Sequence, residues 1–407
     1  MSRSDARAGF PIRLGSNTLS LHGSPVRGFE AFDELLRSFV EQHAVPGAAL
    51  AVGRAGELLY ARSIGFANVD QKLPVEPHSL FRIASISKPI TAVAILQQVE
   101  RGQLTLSDLV WELLGLAEPT DQRWKLVTVR HLLQHTGGWD RSVSFDPMFQ
   151  SVEFAAEAKV PWPADTREII SAILKRPLDF DPGTQYAYSN FGYCLLGRVL
   201  ERLPTAHGRR YEQIVQNEVF APVAAFSPRI GRTLTTSVDE VHYYMPVIPG
   251  EASVQEDSVF SPGHKVAPPY GAWHLEAMDA HGGWIASAPD LLRFAMGCDE
   301  SATVPNSKRK AFLLRPTIDE MFAKPTGYEP KEPNVWYGYG WSVRTTGSGT
   351  GRNTWHMGAL DGTSTILVRR SDGLTWAVLF NMRKNAQGEE LARLIDPLVH
   401  VAADAIL

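Results

Sequence analysis

Apolar positions between residues 29 and 43 recur at helical spacing. Phe32, Leu35, Leu36, Phe39 and Val40 predict an amphipathic helix, which Val45-Pro46-Gly47 ends. The pattern then shortens. Residues 48–52 and 58–63 read as two strands, with Arg54-Ala55-Gly56 as the turn between them. Residues 69–80 read as a loop. The run Ile90, Val93, Ile95, Leu96 and Val99 predicts a buried helix that starts near Ser85 and ends at Gly102.

From about residue 104 strand signals become sparse. Segments 106–114, 128–133, 167–175, 191–203 and 211–219 read as helical or loop-rich. Residues 226–279 are broken by Pro, Gly and charge, with scattered aromatics (Tyr243, Tyr244, Tyr270, Trp273). A stretch of that length predicts a functional loop region, here a wall of the substrate pocket. Ala288-Pro289-Asp290 opens another helix, with proline early and an acid in the first turn. Strand character returns at 339–343, 353–357, 363–369 and 374–380, the last two joined by the tight turn Ser371-Asp372-Gly373. Residues 389–407 close the chain as an amphipathic helix. Two strand-rich ends around a helical middle predict an α/β protein. One sheet, built from both ends, is covered by the terminal helices, and the middle forms a second domain. The expected division is 16–84 with 285–407 for the sheet domain and 85–284 for the helical one. Ser85 lies at the seam, where pockets form.

Composition narrows the function. With 407 residues and 44% hydrophobic content, the chain has ample core material. A net charge of −4 gives no support for nucleic-acid binding. The densest basic run, Lys308-Arg309-Lys310, reads as a solvated loop. Two cysteines cannot form a disulfide framework, and Cys194 falls in an apolar run as a small buried residue. The first residues are polar with no apolar core behind them, and no stretch has the apolar length of a membrane span. The expectation is a soluble, cytoplasmic protein without membrane attachment; its oligomeric state is not legible.

Three short motifs carry chemistry. Ser85 and Lys88 stand three residues apart and share a face at a helix start, so the lysine reaches the hydroxyl. A serine needs a base before it attacks, and a partly buried lysine can shed its proton and serve as one. Backbone N–H groups at the helix start favour an oxyanion. Next, Tyr186-Ala187-Tyr188-Ser189-Asn190 follows the turn Asp181-Pro182-Gly183. It can aim a phenol and a carboxamide at one point. Beside a lysine ammonium the Tyr188 anion is stabilised and can share the Ser85 proton, while Asn190 donates to a substrate carbonyl and holds the lysine. Third, Trp355-His356-Met357-Gly358-Ala359 lies on a predicted strand. Its glycine lets substrate approach the strand edge, and the N–H after it can complete an oxyanion hole.

In this order the three resemble the serine β-lactamase-related family: class C β-lactamases, DD-peptidases and carboxylesterases on that fold. The family pattern S-x-x-K, Y-x-N, then K-T-G or H-x-G, is matched by Ser85–Lys88, Tyr188–Asn190 and His356–Gly358. Residues 81–85, 129–138, 282–290 and 337–341 also look like family segments. The resemblance implies a β-lactamase-like α/β fold, with an antiparallel sheet flanked by terminal helices plus a mostly helical second domain. It implies Ser85 as nucleophile, Lys88 and Tyr188 as base system, Asn190 as orienter, and the Ser85 and Ala359 amides as oxyanion hole. His356 stands where lysine is usual. The reaction implied is acyl transfer with no metal or organic cofactor.

One departure bears on substrate. The third motif usually has Thr or Ser where this chain has Met357, and that hydroxyl helps hold a substrate carboxylate. With His356 in place of lysine, the anchor weakens. The expected substrate is a small ester and the expected enzyme a carboxylesterase. β-Lactamase, D-amino-acid peptidase or amidase, and acyltransferase activities are the alternatives within the fold. A non-catalytic scaffold is the alternative outside catalysis.

Overall fold

The structure, a computed structural model, describes residues 19–248, 250–298, 311–347 and 351–406. The polar N-terminal segment and the 308–310 basic run lie outside these residues. Strands β1 (Leu21–His22), β2 (Gly47–Arg54), β3 (Glu57–Asn68) and β4 (Leu73–Pro74) come first, with helix α1 (Glu30–Gln42) between β1 and β2. β5 (Phe81–Arg82) leads through a 3-10 turn, Ala84–Ile86, into α2 (Ser87–Glu100). The middle carries α3 (Val110–Leu114), α4 (Val129–Leu133), α5 (Ser151–Ala158), α6 (Thr166–Ile173), α7 (Asn190–Arg202) and α8 (Tyr211–Val215). Then come β6 (Arg229–Ile230), a ribbon of β7 (Glu256–Asp257) and β8 (Lys265–Val266), and β9 (Trp284–Ala286). Helices α9 (Ala288–Gly297) and α10 (Arg315–Met321) precede β10 (Val335–Tyr337), β11 (Ser342–Thr346), β12 (Gly351–Leu360), β13 (Thr363–Arg369) and β14 (Leu374–Phe380). Helix α11 (Leu391–Asp404) follows.

The main sheet has the order β1-β3-β2-β14-β13-β12-β11-β10, antiparallel throughout, with β4 on β3. Both chain ends therefore build one sheet, as the pattern predicts. Its centre reads as unbroken apolar sequence because both faces are covered. Leu50, Val52, Trp376, Val378 and Phe380 pack with Phe32, Leu36, Phe39 and Val40 of α1 and Ile395 and Val399 of α11. The alternate residues Ala49, Ala51, Ala377 and Leu379 belong to the opposite core, with Leu291, Leu292 and Ala295 of α9 and the helical middle. Cys194 is fully buried in α7.

Two local expectations shift. The strand expected at 339–343 starts only at Ser342, as β11, and residues 338–341 form the link from β10. In that link Gly340 takes φ +81°, and a Cβ there would stand 2.7 Å from the Ala92 Cβ, so the link turns tightly against α2. The helix expected to begin at Ser85 begins at Ser87. Ser85 sits in the preceding 3-10 turn, where Ala84 has φ +46°. That conformation costs a non-glycine residue about 1–3 kcal/mol and persists only where the surroundings enforce it.

Candidate active site

The surroundings of Ala84 do enforce it. β5 pairs with β9 in a small sheet with β6. The Ile83 N–H donates to the Trp284 carbonyl (3.0 Å), and the Arg82 N–H to the Tyr243 hydroxyl (2.8 Å). Two β13 threonines donate to the same segment, Thr363 to the Arg82 carbonyl (2.8 Å) and Thr365 to the Ile83 carbonyl (3.1 Å). The buried Arg82 guanidinium donates to the Pro269 and Arg232 carbonyls, lies 3.5 Å from the Glu240 carboxylate, and covers the Tyr243 ring. The strand before the nucleophile candidate is thus tied to the main sheet and to the 226–279 region together.

Ser85 and Lys88 meet as expected. Lys88 is fully buried, and its Nζ lies 3.1 Å from Ser85 Oγ, 2.7 Å from Asn190 Oδ1 and 2.9 Å from the His281 carbonyl. Burial holds the amine well below its ordinary pKa; Asp146 opposes the shift and Arg141 adds to it. A neutral amine has two hydrogens and one lone pair. With the hydrogens given to Asn190 and His281, the lone pair faces the Ser85 hydroxyl.

Tyr188 and Asn190 come from the start of α7. Ser189 caps that helix, its side chain accepting from the Gly192 N–H. The Tyr188 segment rests on the family-like loop at 129–138: the Ala187 N–H donates to the His135 carbonyl (2.9 Å) and the Ser189 N–H to His135 Nδ1 (3.2 Å). The His135 and Tyr188 rings are 4.3 Å apart. The Tyr188 phenol hydrogen-bonds to the Ser85 side chain, and Lys88 Nζ stands 4.7 Å from its ring centre. Burial pushes this phenol well above its ordinary pKa. A dry site disfavours both the phenolate and the ammonium and pushes each group toward its neutral form.

The third motif is placed differently from the reading of its side chains. His356 is buried outside the cavity wall. Its Nδ1 donates to the Met357 carbonyl (2.7 Å), its Nε2 pairs with the Tyr337 hydroxyl (3.0 Å), and burial brings its pKa down to about 3. Met357 points to the other face and packs in the layer under α1 and α11, so its thioether does not meet a substrate. Gly358 admits protein: a Cβ there would fall 2.1 Å from the Ile83 carbonyl oxygen and 2.4 Å from Thr365 Oγ1. The close approach expected of a substrate is made by the turn before Ser85. β11 covers β12 only as far as Trp355, leaving the edge at Ala359 facing the cavity.

That cavity, about 390 Å³, is walled by Ser85, Tyr188, Asn190, Ala359 and Trp273 among others. The 226–279 region contributes Trp273, Glu256 and Met278; Tyr270, expected there, instead bonds to Tyr243. Arg383 on the wall is held by Asp361 and Glu390. Glu256 faces the same space, its carboxyl raised by burial and by Asp361. The sequence reading missed three residues. Asp146 accepts from Asn190 Nδ2 (2.7 Å), the His281 carbonyl accepts from Lys88, and Arg141 covers the Tyr188 ring at 5.3 Å. None has a local signature. Among the described residues no cluster of three or more His, Cys, Asp or Glu could hold a metal ion, and no helix is long and apolar enough to cross a membrane.

Residues 32–400 match the profile of the beta-lactamase family. The chain belongs to that family and is a serine hydrolase. It is 27% identical over 354 residues to a penicillin-binding protein of Bacillus subtilis (strain 168), covering 83% of this chain and 68% of that one. It is 34% identical over 185 residues to esterase EstB of Burkholderia gladioli, 42% of this chain and 43% of EstB. The D-amino acid amidase of Ochrobactrum anthropi SV3 superposes with a TM-score of 0.70 at 21% identity, over 93% of this chain and 98% of that one, a likeness of fold. The match with EstB spans less than half its length.

Proposed function

We propose that the protein is a carboxylesterase on small, uncharged esters and works through an acyl-enzyme on Ser85. The observation that carries this reading is the Lys88 amine, with acceptors for two hydrogens and Ser85 Oγ in the third direction. The Ser85 proton passes to Lys88 Nζ as Oγ bonds to the ester carbon. The carbonyl oxygen takes the negative charge and is met by the Ser85 and Ala359 amides. As the intermediate collapses, the lysine proton returns through the Tyr188 hydroxyl to the departing alkoxide, and the C–O bond breaks. Water then repeats the sequence on the acyl-enzyme, and the acid leaves. Asn190 holds the lysine and keeps one N–H for the acyl group.

Ester preference is supported by Arg383, which is paired with two acids, although Arg141 stands exposed on the same wall over the Tyr188 ring and is a cation that a carboxylate could meet. His356 is held neutral by burial, with both ring nitrogens bonded within the protein. The resemblance to EstB agrees. A second reading, amides or esters of amino acids, is favoured by Glu256, whose carboxylate on the wall could take an ammonium. A panel of p-nitrophenyl acetate and butyrate, D-amino-acid p-nitroanilides and nitrocefin tests both. The ester reading expects the highest kcat/KM on the esters; higher values on the anilides would transfer the assignment to the second reading, and highest values on nitrocefin would sink both.

A further inference from the structure

Asp146 lies 44 residues before Asn190 and touches neither Ser85 nor the wall of the cavity. One of its carboxylate oxygens, Oδ1, accepts from the Met148 N–H (3.1 Å) and caps the short turn Pro147–Phe149. The other, Oδ2, accepts from Asn190 Nδ2 at 2.7 Å. Asn190 in turn presents its oxygen to Lys88 Nζ, also at 2.7 Å. A line of contacts therefore runs Asp146, Asn190, Lys88, Ser85.

The ends of this line dictate the direction of its middle. A carboxylate only accepts hydrogen bonds, so the end of the Asn190 amide that faces it must be the NH2. The oxygen is then committed to Lys88 and draws one of its hydrogens. With the His281 carbonyl drawing the other, the lone pair remains for Ser85. A carboxamide without such a partner has two orientations of similar shape. In the flipped one its NH2 would face the lysine and occupy the lone pair that must receive the Ser85 proton.

We propose that Asp146 is a positioning residue for this reaction: its carboxylate fixes the Asn190 amide, and through it keeps the Lys88 lone pair on Ser85. The proposal rests on Lys88 being the base. The carboxylate also acts at a distance, since its charge favours the ammonium form of Lys88 against the effect of burial. Arg141, His135, His281 and His356 also act on Lys88, and burial raises the pKa of Asp146 itself. With those groups unchanged, removing the Asp146 charge moves the acid limb of the rate profile to lower pH, while the flipped amide lowers the rate itself.

The test is Asp146→Asn, which keeps an oxygen to cap Met148 but can accept or donate toward Asn190, with Asp146→Ser as a second capping residue too short to reach it. Labelling of Ser85 by a small fluorophosphonate, which carries no ammonium, is followed by intact mass at several pH values. Each folded variant is expected to label roughly 10- to 100-fold more slowly than wild type, the scale of one lost charge-assisted hydrogen bond. The acid limb should move toward lower pH. Wild-type labelling rates and an unshifted limb in either folded variant overturn the proposal and leave Ser85 standing as nucleophile. So does a loss confined to ammonium-bearing substrates, which would make Asp146 a substrate ligand. Absence of labelling in the wild-type protein instead removes the nucleophile assignment on which the proposal rests.

Discussion

Lys88 and His356 are both buried nitrogen bases whose protonated forms are suppressed first by desolvation. Their hydrogen bonds differ. His356 is saturated, with one nitrogen on the Met357 carbonyl and the other on Tyr337. Lys88 has two acceptors and, in its third direction, the Ser85 hydroxyl. Burial makes a base neutral; only an uncommitted lone pair makes it available. The contrast separates Lys88, the base of the proposed reaction, from His356, whose two nitrogens are both spent on protein partners.

The sharpest way to break this contrast is to remove each base in turn. Lys88→Met, like Ser85→Ala, is expected to lower kcat/KM on p-nitrophenyl butyrate by about four orders of magnitude, the upper range for loss of a general base. His356→Asn should cost less than about tenfold, or 1.4 kcal/mol. A His356 variant as damaged as the Lys88 variant, yet folded, would end the distinction. Tyr188→Phe comes next, at about 100-fold or more. Added to Lys88→Met it should cost almost nothing further, because the two serve one proton path; a double variant showing the product of the single losses would mean separate roles.

Stability gives a further handle on Lys88. Its pKa is lower in the folded chain than in the unfolded one, so between the two values the unfolded chain binds a proton that the native state does not. Native stability contributed this way rises with pH and falls toward acid, at up to about 1.4 kcal/mol per pH unit. Relative to Lys88→Met, the wild-type urea midpoint should therefore drop as pH is lowered below the unfolded lysine value of about 10.4. A parallel pair of curves would mean that Lys88 keeps its proton. The smallest effect is expected at Met357, since its side chain faces the terminal helices. Met357→Thr should leave the ratio of nitrocefin to ester kcat/KM within about tenfold. A larger swing toward nitrocefin would return this side chain to the substrate.

Much of this arrangement could be read before any coordinates. α1, the β2–β3 hairpin and the β13–β14 hairpin follow from periodicity and turn residues, and the Ser85–Lys88 and Tyr188–Asn190 pairs from the order of three motifs and the family resemblance they carry. What escaped was long-range. Asp146 acquires meaning only when α7 brings Asn190 beside it. Met357 was assigned to the wrong side of its strand because alternation tells which residues share a face, while the pairing of Met357 with Ile366 decides which face that is. Gly358 was read as letting substrate approach, whereas the group that approaches it is the Ile83 carbonyl, far away in sequence. The charge state of Tyr188 depends on burial, which no motif encodes.

The ties that set the Ser85 turn also govern when it can exist. Thr365 meets the Ile83 carbonyl across 282 residues of chain, and β2 waits for β14 to gain its central neighbour. During synthesis the segment bearing Ser85 and Lys88 emerges well before the strands that hold it. Contacts of such sequence separation slow folding and concentrate it late. A ribosome-bound chain halted before residue 363 therefore carries Ser85, Lys88 and Tyr188 without the strand that braces the turn before Ser85, and the braced site forms only once β13 has followed.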